Sequence, residues 1–466
     1  LTMKKTPLIG GFLAAAILIG MFFVPEAAGL TGTGIRALGI MIALIVLLVT
    51  ETFPIGVSCI LGIALLVIFG VSPTVGAALS GYTSHVLFFV LVSFGISQAI
   101  VKVPLSRRLL RFLIHLFGYE SKRILLAIML CAGLVSSIMS NVATTAVFIT
   151  IVEGILGAYD NGADRKKSGK AFMIGLPIAS MVGGIMTPAG SPINLLALDF
   201  LAQAGIQITF VQWMVIGIPI GIVGLLLSWL IISRVFCPAP LGAGRMATYL
   251  ESLNIPKHFD AQERYVFILI SGIFVLWVLS SWIPVLNITI VGIVGFTLLF
   301  LPGFSILTWG EFCSEVSWAA FFLIGTMMSM GNALTQSGVS DWLVGTVFPS
   351  SMAMPTPIIL LVFSLIFFAL LLPIPLGPVL ISMLGGPLTA LAISWGISPA
   401  LLILALAICA SCCFILPLDT VPLLTYVKGY YKMQEMPRAS LPIQLSIAVC
   451  IALWVPIAIG ILGLAG

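Results

Sequence analysis

Two short polar stretches interrupt a chain that is otherwise almost wholly apolar. The first places Ser136, Ser137, Ser140, Asn141, Thr144 and Thr145 close together. The second is Thr187-Pro188-Ala189-Gly190-Ser191-Pro192-Ile193-Asn194. Ser136 and Ser140, four residues apart, share one face of a helix. Pro188, Gly190 and Pro192 cannot continue a helix, so the second stretch frees backbone carbonyls. Hydroxyl, amide and carbonyl oxygens together make a cage for a small cation such as sodium. The N-terminus of a helix that restarts after a break suits an anion. The plainer reading is that each hydroxyl bonds the carbonyl one turn back in its own helix. Clustering beside an amide and a broken backbone favours the site over that reading.

Composition says what must surround these residues. The chain has 466 residues, 61% hydrophobic and 8% charged, where soluble domains carry about 25% charged residues. Mean hydropathy is +1.25. The long unbroken apolar runs exclude barrel strands, which are short and alternate. The reading is an all-α polytopic membrane protein. Backbone can be irregular at membrane depth only where protein or a cavity surrounds it. The net charge of +5 then reflects loop placement and not nucleic-acid binding. His85, His115 and His258 are too scattered for a metal site, and the eight cysteines show no CxxC spacing. Lys4 and Lys5 before an apolar run resemble a signal peptide, but the many spans behind them favour a first transmembrane helix.

The apolar runs predict an N-terminal helix within 1–32 and spans near 33–50, 54–71 and 83–101. A basic amphipathic stretch at 103–118 reads as interfacial. Residues 122–157 exceed one span and carry the first polar knot in the middle, which predicts a re-entrant hairpin. Residues 170–203 read as a helix broken at Pro188–Pro192, followed by a span at 207–236. A polar connection covers 237–263. Spans near 264–282, 287–301 and 316–335 and an amphipathic piece at 338–348 come next. A second hairpin at 356–396 is interrupted at Pro373–Pro378. A second broken helix at 398–427 is interrupted at Pro417–Pro422, and a last span covers 441–463. The order within 33–236 thus recurs within 264–466. Five crossings per repeat make the second repeat enter upside down, the build of secondary transporters. This gives about 11 transmembrane helices, two re-entrant hairpins and two inverted repeats.

Charge supports the layout. With a cytoplasmic N-terminus and both hairpins returning to their own side, 19 of the 20 lysines and arginines lie inside, and only Arg36 lies outside. A single crossing by 122–157 would flip every later loop and split the basic clusters. Tryptophans such as Trp213, Trp277 and Trp309 near span ends suggest an interfacial belt, and Tyr430-Tyr431 suggests an anchor.

Ser140-Asn141-Val142 with downstream Gly190-Ser191-Pro192-Ile193-Asn194 resembles the divalent anion:sodium symporter family, within the ion transporter superfamily. The likeness covers nearly the whole chain, and the order of elements carries much of it. It implies elevator-type carriage of a dicarboxylate, citrate or sulfate by a homodimer. Helices 1–4 and 7–9 would form the fixed scaffold. It implies a first sodium site from Ser136, Ser140, Asn141 and Gly190, with Ser140, Asn141 and Val142 touching an anionic head group. Thr144, Ser191, Pro192 and Asn194, with Pro375, Gly377 and Thr420 from the second half, complete the expected substrate site. Sodium is the expected coupling ion, with no other cofactor. The expected partners are a small anion, membrane lipid and a second copy, in a bacterial inner (plasma) membrane.

The second half departs from the family pattern. Pro375-Leu376-Gly377-Pro378 stands where a second Ser-Asn tip belongs, and Leu423 stands where the first repeat has Asn194. Asp419 replaces Gly190, and a carboxylate near mid-membrane suggests ion coupling. Its plainer reading is a helix cap. Proton coupling through Asp419, anion exchange and cation:proton antiport remain alternatives to sodium symport. A channel and an intramembrane enzyme are further readings from other classes. No GxxxxGK[ST] stretch is present, and no serine has an evident base, so ATP hydrolysis and covalent catalysis are not expected.

Overall fold

A helix satisfies its own backbone, so long apolar runs with few charges resolve into helices where water is scarce. The computed structural model describes residues 5–26, 29–252, 256, 258–283, 285–304, 306–347 and 354–464. Among these residues the regular elements are all helical. Six helices are long and apolar enough to cross a membrane: 32–49, 85–102, 210–235, 261–279, 377–394 and 437–461. Helices 309–315 and 318–336, bent by 66° at their junction, add a seventh span if taken as one. The shorter apolar helices include 55–68, 141–157, 288–298, 356–370 and 399–411.

Element order repeats across the connection. Helices 32–49, 55–68, 85–102 and 105–117 precede the pair 121–136 and 141–157. The broken helix 162–184 and 192–203 and the helix 210–235 follow. After the connection come helices 261–279, 288–298, 318–336 and 339–347, then the pair 356–370 and 377–394. The broken helix 399–411 and 420–426 and the helix 437–461 close the chain. Packing is exchanged between the halves. Helix 85–102 lies on 288–298, and its counterpart 318–336 lies on 55–68. Helix 141–157 packs on 420–426, and its counterpart 377–394 packs on 192–203. Helices 210–235 and 437–461 pack along each other.

Residues 122–157 form two helices with a turn at 137–140, and both pack on helix 162–184. The first broken helix begins at Gly162, earlier than the apolar run, because Asn161 caps it by accepting from Ala163 N–H at 3.0 Å. It unwinds after Gly184, ahead of Pro188. The second break opens ahead of the prolines that announced it and takes in only Pro417. Helix 399–411 ends at Ser411, and helix resumes at Thr420, so the break covers 412–419. Pro422 sits in the first turn of the resumed helix, where its missing N–H costs no intrahelical bond.

Several basic residues of the connecting segments are held in ion pairs. Lys102 pairs with Glu311 at 2.7 Å and Lys428 with Glu153 at 3.0 Å, while Arg245 pairs with Asp160 and Lys170 with Glu435. Arg108, on the amphipathic helix 105–117, pairs with the fully buried Glu263 and donates to the His258 carbonyl at 2.9 Å. A buried carboxylate is tolerated only when paired in this way.

Two tryptophans expected at span ends pack inside the protein: Trp213 and Trp277 are buried, and Trp277 donates to the Ile288 carbonyl at 3.0 Å. Tyr431 is also buried, with its hydroxyl 3.1 Å from Thr425 Oγ1 and donating to the Pro422 carbonyl at 3.2 Å. A buried indole or phenol needs a hydrogen-bond partner for its polar tip, and backbone carbonyls supply it here.

Candidate functional site

Each break strands carbonyls that the helix would otherwise have used. In the first break most are taken by side chains. Asn194, fully buried, donates its amide nitrogen to the Gly184 carbonyl at 2.8 Å and to the Thr187 carbonyl at 2.7 Å. Trp213 Nε1, from the following helix, donates to the Ile185 carbonyl at 3.0 Å. Thr187 Oγ1 donates to the Ser137 carbonyl and so ties the break to the hairpin turn. Ser191 caps the resumed helix by accepting from Ile193 N–H at 3.3 Å. Ser411, at the end of the second repeat's half-helix, donates to Asn194 Oδ1 at 3.4 Å. Asn194 thus sits where the two broken helices meet.

What remains converges on Asn141. The end of its side chain lies 2.6 Å from Ser136 Oγ, 3.1 Å from the Ser180 carbonyl oxygen and 3.2 Å from the Gly190 carbonyl oxygen. With the amide nitrogen on that side, Asn141 donates to these groups. With the amide oxygen there, only oxygens face one another, an arrangement that a cation among them stabilises. Glycine at 184 makes the approach possible, since a Cβ there would strike the Asn141 amide. Ser140 occupies the N-cap position of helix 141–157 without a side-chain capping bond, so the first turn of that helix keeps free donors. Ser140 N–H itself donates to Ser97 Oγ at 3.0 Å.

Ser140, Gly190, Ser191 and Pro192 line one wall of a recess, and Phe89, Val90, Ser93 and Phe94 of helix 85–102 line the other. Val142 is exposed beside it. Thr144 is buried one turn further on, and its hydroxyl has no hydrogen-bond partner.

The second half supplies backbone and one carboxylate. Gly377 starts helix 377–394 against the first break. A Cβ there would lie 2.5 Å from both Ile193 Cδ1 and the Ala410 carbonyl oxygen. Pro375 is half-buried in the turn just before it. Asp419 is half-buried and caps helix 420–426. Its Oδ1 accepts from Val421 N–H at 3.0 Å and from the exposed Thr420 hydroxyl at 3.3 Å. The second break is stitched in the same way, by side chains of the helix that follows it. Gln444 donates to the Cys412 carbonyl at 2.8 Å, and Ser440 donates to the Ile415 carbonyl at 3.2 Å.

Sequence reasoning missed Ser180, Ser97, Trp213 and Gln444. Ser180 acts through its carbonyl, which leaves no mark in residue type. The other three reach their partners across long sequence separations.

The chain matches the family model for the sodium:sulfate symporter transmembrane region over residues 5–462. It is 26% identical over 497 aligned residues to the sodium-dependent dicarboxylate transporter SdcS of Staphylococcus aureus strain USA300, covering 98% of this chain and 94% of that protein. The same figures hold for SdcS of strains NCTC 8325 and COL. The polytopic helical fold and the full-length match agree: the chain is a membrane transporter, not an enzyme, and it belongs to the sodium:sulfate symporter family.

Proposed function

We propose that the protein carries a small divalent anion, of the dicarboxylate or sulfate class, across a bacterial plasma membrane in symport with sodium. The observation that carries this reading is the convergence of Ser136 Oγ and the Ser180 and Gly190 carbonyls on the Asn141 side chain. Neutral oxygens at a membrane-buried break fit a monovalent cation better than a multivalent one, because none brings a charge of its own. Turning the Asn141 amide oxygen inward completes the cage. A bound sodium ion places a positive charge beside the uncapped N-terminus of helix 141–157, and both favour an anion at Ser140, Asn141 and Val142. Gly190 serves as a cation ligand through its carbonyl. Ser191 and Pro192 form the near wall, opposite helix 85–102, and Pro375, Gly377 and Thr420 contribute to the substrate site from the second half. Asn194 braces the breaks rather than touching substrate.

Movement follows from where the breaks lie. The hairpins, broken helices and the helices after them travel as one body against helices 32–102 and 261–336, which hold the second copy of a homodimer. The N-terminus lies in the cytoplasm with the basic loops. Asp419 keeps its helix capped through Oδ1 and offers Oδ2 to a proton or a second cation, so proton coupling is the alternative to test.

The decisive variant is Asn141→Ala. It removes the only amide in the cage, the side chain on which the Ser136 hydroxyl and the Ser180 and Gly190 carbonyls converge. Sodium-dependent uptake should fall at least a hundredfold, roughly 3 kcal/mol at about 1.4 kcal/mol per factor of ten, in protein of normal monodispersity. Uptake at the wild-type rate would remove the cage from the mechanism.

A further inference from the structure

Most buried serines in membrane helices bond their own backbone. Ser93 does so, donating to the Val90 carbonyl at 2.8 Å. Ser97, one turn further along helix 85–102 and 1% exposed, does something else. Its oxygen accepts from Ser140 N–H, 43 residues away, at the tip of the first hairpin. The contact sits beside the recess between helix 85–102 and Ser140, Gly190 and Ser191. It therefore crosses the boundary between the fixed and the moving body.

The donor is also in demand from the other side. Ser140 is the N-cap of helix 141–157 and carries no side-chain cap of its own. An anion oxygen at the tip would draw on the same N–H. One N–H serves one strong acceptor at a time, and a charged acceptor bonds about twice as strongly as a hydroxyl oxygen. We propose that Ser97 is a docking residue. Its hydroxyl oxygen holds the hairpin tip against helix 85–102 through Ser140 N–H, and a bound anion takes that N–H and releases the tip. Loading and travel are thereby linked through a single hydrogen. This rests on the functional reading above, in which the hairpin body moves against helix 85–102.

The test uses Leu195, which lines the same recess and is 6% exposed, as a reporter of undocking. Leu195→Cys is placed in full-length protein with Cys237, Cys313 and Cys450 replaced by serine. The rate of maleimide labelling is then measured in proteoliposomes. Without sodium or anion, Ser97→Ala should raise the labelling rate roughly three- to tenfold, the worth of one net hydrogen bond. With sodium and saturating succinate or sulfate, whichever the wild type takes up, the two rates should converge. Ser97→Thr keeps the oxygen and should label like the wild type. The proposal is overturned if Ser97→Ala labels like the wild type without anion. It is equally overturned if its rate rises by the same factor with and without anion, or if Ser97→Thr behaves like Ser97→Ala. Failure of the transport reading looks different. The wild type would take up neither succinate nor sulfate, while labelling without anion would still respond to Ser97→Ala.

Discussion

At the scale of residues, the site divides into groups that hold the backbone and groups that are left over. Asn194 and Thr187 hold it; Asn141, Ser136 and the Gly190 carbonyl are left over. The sequence showed both polar knots but could not say which amide did which work, since Asn141 and Asn194 are chemically the same. Their neighbours decide. Asp419 shows the same ambiguity. Its capping geometry is complete on Oδ1, as the plainer reading required. Asp419→Asn keeps an oxygen for the cap but removes the charge. If Asp419 couples an ion, the sodium or pH dependence of uptake should change in this variant while the concentration of anion giving half-maximal uptake moves less than threefold. Sodium and pH profiles that both superimpose on the wild type would leave Asp419 a cap alone.

At the scale of elements, the two broken helices are held by the helices that follow them. Trp213 reaches back to the first break, and Gln444 reaches back to the second. These contacts fit a second break that opens at 412, ahead of Pro417, and closes at 419, ahead of Pro422. Prolines show where a helix may stop, but a carbonyl stays unwound at low cost only where a distant donor meets it. That donor was not legible from local sequence, whereas the apolar runs that became helices were. Trp213→Phe orphans the buried Ile185 carbonyl and should cost about 1–3 kcal/mol of stability, whereas Gln444→Leu leaves the Cys412 carbonyl its bond from Phe414 N–H and should cost about 1 kcal/mol, both read as a lower unfolding temperature in detergent. Only Trp213→Phe should also weaken the apparent sodium affinity, because in the proposed cage only the first break supplies a carbonyl, that of Gly190. Equal sodium affinities in both variants would separate the first break from ion binding.

At the scale of the whole molecule, composition was enough to give an all-helical polytopic membrane protein; the two-repeat layout read from loop charge belongs to the proposal, and helices before and after the connection pack on one another. The chemistry is not exchanged so evenly. The first half has a hydroxyl-and-amide tip, and the second has Pro375, Leu376 and Gly377 with a stitched break behind them. A carrier built this way should draw its coupling mainly from the first half. The most direct measurement is uptake of labelled succinate and sulfate into proteoliposomes, with sodium, proton and internal-anion gradients imposed one at a time. The account predicts that an inward sodium gradient drives accumulation of at least one of these anions. Accumulation driven equally well by a proton gradient or by internal anion, with sodium absent throughout, would contradict it.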